Sequence, residues 1–234
     1  MDKPRERPTE YTPELIRSYN ELRGTIDENN HQIFDLVNKI DGVKDKKVLD
    51  LGCGDGTYSF KLKELGAKFV VGVDITEEQI KTAVSKITDE ERGKVSFAVA
   101  DGKRLPFGDK IFDTVFSNFV IHYFSDLSLV FKEIERVLLP GGSFVGTFNI
   151  CTVEEGAQNL VNTQMPIRLG GESSPVIVYN LIKTREEFES AISEAGLEIV
   201  EEMAIDHPNA FIDPAYQHKD RVKKHAMLFH LRKK

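Results

Sequence analysis

KVLDLGCGDG, residues 47–56, joins a short apolar strand to a glycine-rich turn. A helix is expected after the turn, as far as Leu65, with Gly66 as its stop. Glycine tolerates positive φ and has no side chain that could clash, so such a turn brings backbone N–H groups and a helix N-terminus close to a ligand. The stretch therefore predicts a βα unit with a nucleotide-like ligand at its tip.

The alternation of strand and helix continues along the chain. Further strands are predicted at 69–73, 95–100, 112–118, 143–149, 197–205 and 225–231. Capping boxes at Thr76–Gln79 and Thr184–Glu187 begin two of the helices, and Pro140–Gly142 ends a third near Leu138. Strands that alternate with helices predict an α/β fold: a doubly wound, mostly parallel, Rossmann-like sheet with helices on both faces.

Two segments lie outside this alternation. Thr12–Glu14 has the residue types that begin a helix, and apolar periodicity continues to Ile40, so one long N-terminal helix or two helices broken near Gly24 are expected. Residues 150–183 are interrupted by glycine, proline and serine, which predicts an irregular insert that covers the substrate. We expect a single domain with four parts: residues 1–42, 43–149, 150–183 and 184–234.

The composition excludes several classes of protein. A net charge of -7 and a pI near 5.5 argue against a nucleic-acid-binding protein. Cys53 and Cys151 are the two cysteines, which suggests neither a disulfide framework nor a metal cluster and fits the reducing cytoplasm. No apolar run reaches the length of a membrane span, and the first residues lack the apolar core of a signal peptide. A cytoplasmic protein without a metal or membrane partner is expected.

Acidic residues end two of the predicted strands. Asp74 lies 20 residues after Gly54, where a carboxylate can accept hydrogen bonds from both ribose hydroxyls. Asp101 ends the next strand, where it could accept a hydrogen bond from an adenine amino group. An NAD-dependent dehydrogenase would share the turn and Asp74, but Thr57 stands where its GxGxxG motif requires the third glycine or alanine. The three strand ends predict an adenosine-containing ligand.

These motifs together resemble the class I S-adenosylmethionine-dependent methyltransferases of the small-molecule type, from about Val43 to Ile205. The resemblance implies seven strands with an antiparallel last strand, S-adenosylmethionine as cofactor and S-adenosylhomocysteine as product. It implies that the glycines approach the methionine part, that Asp74 holds the ribose and that Asp101 faces adenine. The residues expected to bind the cofactor are Asp50, Gly52, Gly54, Asp74, Ile75, Asp101, Gly102, Asn118 and Tyr19. Tyr19 would act from an N-terminal helical lid, or else pack in the core.

The acceptor is expected to be a small molecule, methylated on O, N or C. Methyltransferases that act on DNA amino groups and on protein glutamine resemble one another in a run with two prolines after the fourth strand, and Ser117–Val120 lack that run. Methylation of cytosine at C5 uses a cysteine that follows a proline, and neither cysteine here follows one. His122 is the candidate general base, although packing beside the cofactor is the alternative. A protein that binds the adenosyl cofactor without catalysis also remains open, because a fold does not guarantee chemistry.

Overall fold

The computed structural model describes residues 31–39, 42–169, 176–205 and 210–234. Of the N-terminal helix expected from the sequence, one part is described, helix α1 at His31–Lys39. Tyr19 lies outside the described residues. The other helices are α2 Thr57–Glu64, α3 Glu77–Ser85, α4 Leu127–Val137 and α5 Arg185–Glu194. The strands are β1 Lys47–Leu51, β2 Phe69–Asp74, β3 Val95–Val99, β4 Phe112–Ser117, β5 Leu138–Val153, β6 Gln164–Leu169, β7 Val176–Leu181, β8 Leu197–Ala204, β9 Ala210–Ile212 and β10 Val222–Lys233.

Seven strands form the main sheet in the order β3-β2-β1-β4-β5-β10-β8. β1 is parallel to both β2 and β4, and the parallel pairing extends to β3 on one side and β5 on the other. β10 is antiparallel to β5 and to β8. The predicted fold class, a mostly parallel seven-stranded sheet with an antiparallel last strand, is confirmed.

Helices cover both faces of this sheet. On one face, α1 and α2 bury Leu36 and Leu62 against β1, β2 and β4. On the other face, Phe131 of α4 and Phe188 of α5 pack edge to face, and Phe188 lies 4.4 Å from the ring of Phe229 on β10. Because successive strand residues point to opposite faces, each buried strand contributes to both clusters. The sheet is therefore doubly wound, as its near-continuous apolar strands predict.

The insert is more regular than the sequence suggests. We expected irregular chain over residues 150–183, but β5 continues to Val153, and β6 and β7 form an antiparallel pair with Ile167 opposite Val178. β9 adds a third strand on the other side of β6, which gives a small second sheet in the order β7-β6-β9. Proline is unfavourable in a central strand because it has no N–H group to donate. Pro166 is tolerated in β6 because the pairing with β9 includes only Ile167–Leu169 and does not reach it.

Gly56 is the N-cap of α2 and has a φ of 82°. Two local predictions are wrong in detail. Thr76 occupies the N-cap of α3, but its side chain makes no capping hydrogen bond. Pro140–Gly142 does not separate helix from strand: α4 ends at Val137, β5 begins at once, and the register against β4 shifts here as in a β-bulge. The capping box of Thr184 and Glu187 is confirmed.

Candidate cofactor and acceptor site

The carboxyl ends of β1 and β2 are joined directly by hydrogen bonds. The N–H groups of Gly52 and Cys53 donate to the carbonyl oxygen of Val73, at 2.7 and 2.9 Å. The N–H of Gly54 donates to the Asp74 carboxylate at 3.0 Å, and the other carboxylate oxygen accepts from the N–H of Thr76 at 2.8 Å. Asp74 therefore lies at the edge of the glycine turn and is held there by backbone N–H groups.

The glycine turn has a backbone that side chains would not allow. Gly52, Gly54 and Gly56 have φ values of 76°, 54° and 82°, in the left-handed region that glycine adopts without cost. A Cβ atom on Gly52 would lie 2.3 Å from a methyl carbon of Val120, in the loop after β4. The backbone of the turn thus packs directly against the Val120 side chain of that loop. The turn presents its peptide groups at the edge where Asp74 lies.

Two acidic residues stabilise the turn from within. Asp50, on β1, is only 2% exposed and accepts a hydrogen bond from the Ser59 hydroxyl at 2.6 Å, which ties the strand to α2. Asp55 accepts from the Thr57 hydroxyl at 2.8 Å and from the Lys86 ammonium at 2.5 Å. The Asp55–Lys86 pair could not be predicted from the sequence, because Lys86 follows Asp55 by 31 residues and belongs to no motif.

Asp101 and its neighbours continue the same edge beyond β3. One Asp101 carboxylate oxygen accepts from the N–H of Lys103 at 3.0 Å. Gly102 has no room for a side chain, because a Cβ atom there would lie 2.8 Å from the ring of Phe124. Ile75, directly after Asp74, leaves 41% of its surface exposed. Ile75 and Asp101 thus follow the neighbouring strands β2 and β3, and an exposed apolar side chain and a carboxylate are a combination suited to a nucleoside.

The loop after β4 is tied to β5 by a side chain that the sequence did not reveal. The Thr147 hydroxyl donates to the Asn118 side-chain oxygen at 2.9 Å and accepts from the N–H of Phe119 at 2.6 Å. Phe119 has a φ of 55°, an uncommon value for a residue with a side chain. Asn118 is thus oriented by β5, and no sequence signal links the two positions because 29 residues separate them.

His122 lies in a short 3-10 turn, Ile121–Tyr123, and is 1% exposed. Its ring centroid is 4.6 Å from that of Tyr123 and 6.3 Å from those of Phe119 and Phe148. The ring is therefore surrounded by aromatic side chains at the ends of β4 and β5. This position is compatible with both roles expected for His122.

Neither cysteine has the character of a nucleophile. Cys53 and Cys151 are both buried, and burial raises the pKa of the Cys151 thiol to about 11. Among residues 31–39, 42–169, 176–205 and 210–234, no three His, Cys, Asp or Glu side chains come together as metal ligands would. In the same part of the chain, no helix has both the length and the apolar character to cross a bilayer.

Comparison with known proteins shows which proteins this region is similar to. A family model described as a methyltransferase domain matches residues 49–146, which include the glycine turn, Asp74 and Asp101. The resemblance to the class I S-adenosylmethionine-dependent methyltransferases is confirmed. Among solved structures, the PH0226 protein of Pyrococcus horikoshii OT3 is similar with a TM-score of 0.62 at 25% identity, over 92% of each chain.

Curated methyltransferases are similar over part of their length. Malonyl-(acyl-carrier protein) O-methyltransferase of Legionella pneumophila is 38% identical over 103 residues, 44% of this chain and 36% of that protein. Sterol 24-C-methyltransferase erg6 of Aspergillus fumigatus is 34% identical over 173 residues, 72% of this chain and 45% of that protein. The matches cover between 33% and 58% of the curated relatives. These relatives methylate different acceptors, so the family likeness does not name the acceptor.

Proposed function

We propose that this protein transfers a methyl group from S-adenosylmethionine to an O, N or C atom of a small-molecule acceptor. The observation that carries the proposal is the Asp74 carboxylate, held 3.0 Å from the N–H of Gly54 at the edge where the ends of β1, β2 and β3 meet. The relatives named above as O- and C-methyltransferases of small or carrier-bound molecules support it.

The residues at this edge fit the cofactor. The glycine turn offers peptide N–H groups without side chains, and Gly52 could not carry a Cβ atom. In our proposal Gly52 and Gly54 approach the methionine part, and Asp74 binds the ribose hydroxyls. The remaining contacts are assigned to Asp101, Gly102 and Ile75 at adenine, and to Asp50, Asn118 and Tyr19. Asp50 acts chiefly through the turn, since its carboxylate is buried against Ser59.

The cofactor supplies a methyl group already activated on a sulfonium, so the protein's main task is to align the acceptor. His122 is proposed as the base that takes the acceptor proton. Replacing it by phenylalanine should keep the aromatic packing with Tyr123 and Phe148 while removing the proton-accepting nitrogen. We expect His122→Phe to lower kcat by about 100-fold with an unchanged melting temperature. Unchanged turnover, measured by transfer of radiolabelled methyl, would assign His122 to packing alone.

The acceptor and the setting of the reaction follow from the composition. A net charge of -7 disfavours nucleic acid and anionic membrane surfaces. In our proposal the antiparallel pair β6 and β7 covers a small-molecule acceptor. We propose that the protein acts in the cytoplasm and needs no metal. The buried, protonated Cys151 thiol is consistent with a reducing compartment.

Calorimetric titration tests the cofactor site directly. S-adenosylmethionine and S-adenosylhomocysteine should bind, NAD should not, and Asp74→Ala should weaken adenosyl binding by about 100-fold because two hydrogen bonds to a charged acceptor are lost. Asp89→Ala, at an exposed position outside the site, is the matched control and should bind like the wild type. Binding of NAD alone would favour a dehydrogenase. Adenosyl binding without methyl transfer to any acceptor would favour a non-catalytic binding protein.

A further inference from the structure

Two buried asparagine side chains have unmet hydrogen-bonding capacity. Asn149 on β5 and Asn180 on β7 are each 3% exposed. Within the described ranges, the side-chain oxygen of each finds no hydrogen-bond donor. A buried polar atom without a partner is unfavourable, and native proteins rarely retain one without a reason. Two such atoms, both carboxamide oxygens, indicate a place where a ligand supplies the missing donors.

Asn149 lies where the main sheet meets the second sheet. β5 pairs with β4 up to Ser117 opposite Gly146, so the residues from Thr147 onward extend past the end of β4. Alternation along the strand places Thr147, Asn149 and Cys151 on the same face. Thr147 binds the loop after β4, and Cys151 packs with the apolar residues of β6 and β7. Asn149 is therefore between the β4 loop and the second sheet.

Asn180 approaches the same junction from the second sheet. It pairs with Met165 on β6, and alternation places it on the same face as Val178. Met165 and Val178 belong to the apolar cluster that includes Cys151, so this face of the second sheet points toward β5. Both β5 and β7 also contact the turn Ile121–Tyr123, which carries His122.

We propose that Asn149 and Asn180 form an acceptor-recognition pair, whose carboxamide oxygens bind a hydroxyl or N–H group of the methyl acceptor. The proposal rests on the function proposed above and narrows its acceptor class: the acceptor carries a hydrogen-bond donor, including when a carbon atom is methylated. A site whose buried polar groups are satisfied only by the ligand discriminates strongly against an analogue that lacks the donor. The surrounding apolar cluster favours a ligand that is otherwise largely apolar.

Leucine substitution separates this role from a structural one. Leucine has the same number and branching of side-chain heavy atoms as asparagine and no polar atom, so Asn149→Leu and Asn180→Leu should melt no lower than the wild type. Asn159→Leu, at an exposed position of the same insert, is the control for the substitution itself. A fall of several degrees in either buried variant, absent in the control, would show that the amide makes a structural hydrogen bond and would overturn the proposal.

Ligand discrimination tests the recognition role. The probes are phenol and 2-naphthol, each compared with its methyl ether, and benzylamine, compared with benzyltrimethylammonium, which keeps the charge but has no N–H group. Each probe is titrated into protein saturated with S-adenosylhomocysteine. The wild type should prefer at least one donor-bearing probe by about 10-fold or more, and both leucine variants should lose that preference. Equal affinities within all pairs, no binding of any probe, or a preference retained in the variants would overturn the proposal.

The two proposals fail in different ways. If S-adenosylhomocysteine does not bind, the titration is repeated without it. Discrimination among the probes, lost in the leucine variants, would then overturn the methyltransferase function and keep the asparagine pair as a ligand site. If S-adenosylhomocysteine binds and methyl groups are transferred while the variants discriminate like the wild type, the pair is overturned and the methyltransferase function stands.

Discussion

The glycine-turn edge and the second sheet are built on different principles. At the edge, β1, β2 and β3 are linked through consecutive βα units, and Gly54 binds a carboxylate only 20 residues away. In the second sheet, β6 depends on β9, and its ion pair joins Arg168 to Asp213, 45 residues away. The first region is specified by local signals and, in our proposal, binds the cofactor. The second is specified by distant pairings and, in our proposal, faces the acceptor.

Gly52 gives the strongest test of the first region. In Gly52→Ala the Cβ atom would collide with Val120, and the backbone would have to keep a φ of 76°. We therefore expect the unfolding free energy to fall by roughly 2–5 kcal/mol. Binding of S-adenosylhomocysteine should be lost as well. Gly141 has a φ of 73° and no atom within 4 Å of a Cβ, so Gly141→Ala should cost about 1–2 kcal/mol and keep binding. Urea unfolding and calorimetry measure both effects. Equal losses of unfolding free energy in the two variants would mean that the positive φ alone, and not the contact with Val120, requires glycine at position 52.

The same difference explains what the sequence could predict. The positions of Asp74 and Asp101 could be predicted because each ends an apolar strand, and the carboxyl ends of parallel strands meet at one edge. The fold class followed from the alternation of those strands with helices. In contrast, the strand β9 is only three residues long, and β6 contains Pro166, which is unfavourable in a strand. No local sequence pattern therefore predicted the second sheet.

Side-chain partners were harder to predict than positions. Thr147 and Lys86 belong to no motif, and their roles come from residues 29 and 31 positions away in sequence. Thr76 had the right residue type for a cap, yet the N–H of Thr76 is bound by Asp74 instead, which fixes the chain at the start of α3. Local propensity located the helix, and tertiary contacts decided its hydrogen bonds.

Asp213 tests the independence of the second region. Its side chain is 4% exposed and lies 2.7 Å from the Arg168 guanidinium, so Asp213→Ala leaves a largely buried cation without this partner. We expect a loss of about 3 kcal/mol, located in β6 and β9 by hydrogen exchange. S-adenosylhomocysteine affinity should not change, because the glycine turn does not depend on this pair.

An exposed ion pair provides the control for Asp213. Arg221 and Glu154 are 3.4 Å apart, with side chains 40% and 62% exposed, so Glu154→Ala should cost less than about 1 kcal/mol. If Asp213→Ala lowers the affinity for the cofactor as much as it lowers the stability of β6, the two regions unfold together. They would then differ in how well the sequence predicts them, but not in stability.

Lys224, opposite Cys151 where β10 meets the second region, should give the smallest effect, as a dependence of stability on pH. Burial lowers the pKa of its ammonium from 10.5 to about 8. Between those two values the unfolded chain holds a proton on Lys224 that the folded chain has lost, so this group makes the unfolding free energy rise with pH. Cys151 acts in the opposite direction above pH 9.0, because burial raises the pKa of its folded thiol to about 11 while the unfolded thiol has already lost its proton. The rise should therefore be clearest between pH 8 and 9 and should level off above that. The rise should be smaller in Lys224→Met, although burial also lowers the pKa of Lys183, and it should keep its full size in Lys223→Met, whose lysine is exposed. A rise of full size in both variants would place the titrating group elsewhere, and the charge buried at this junction would then not be that of Lys224.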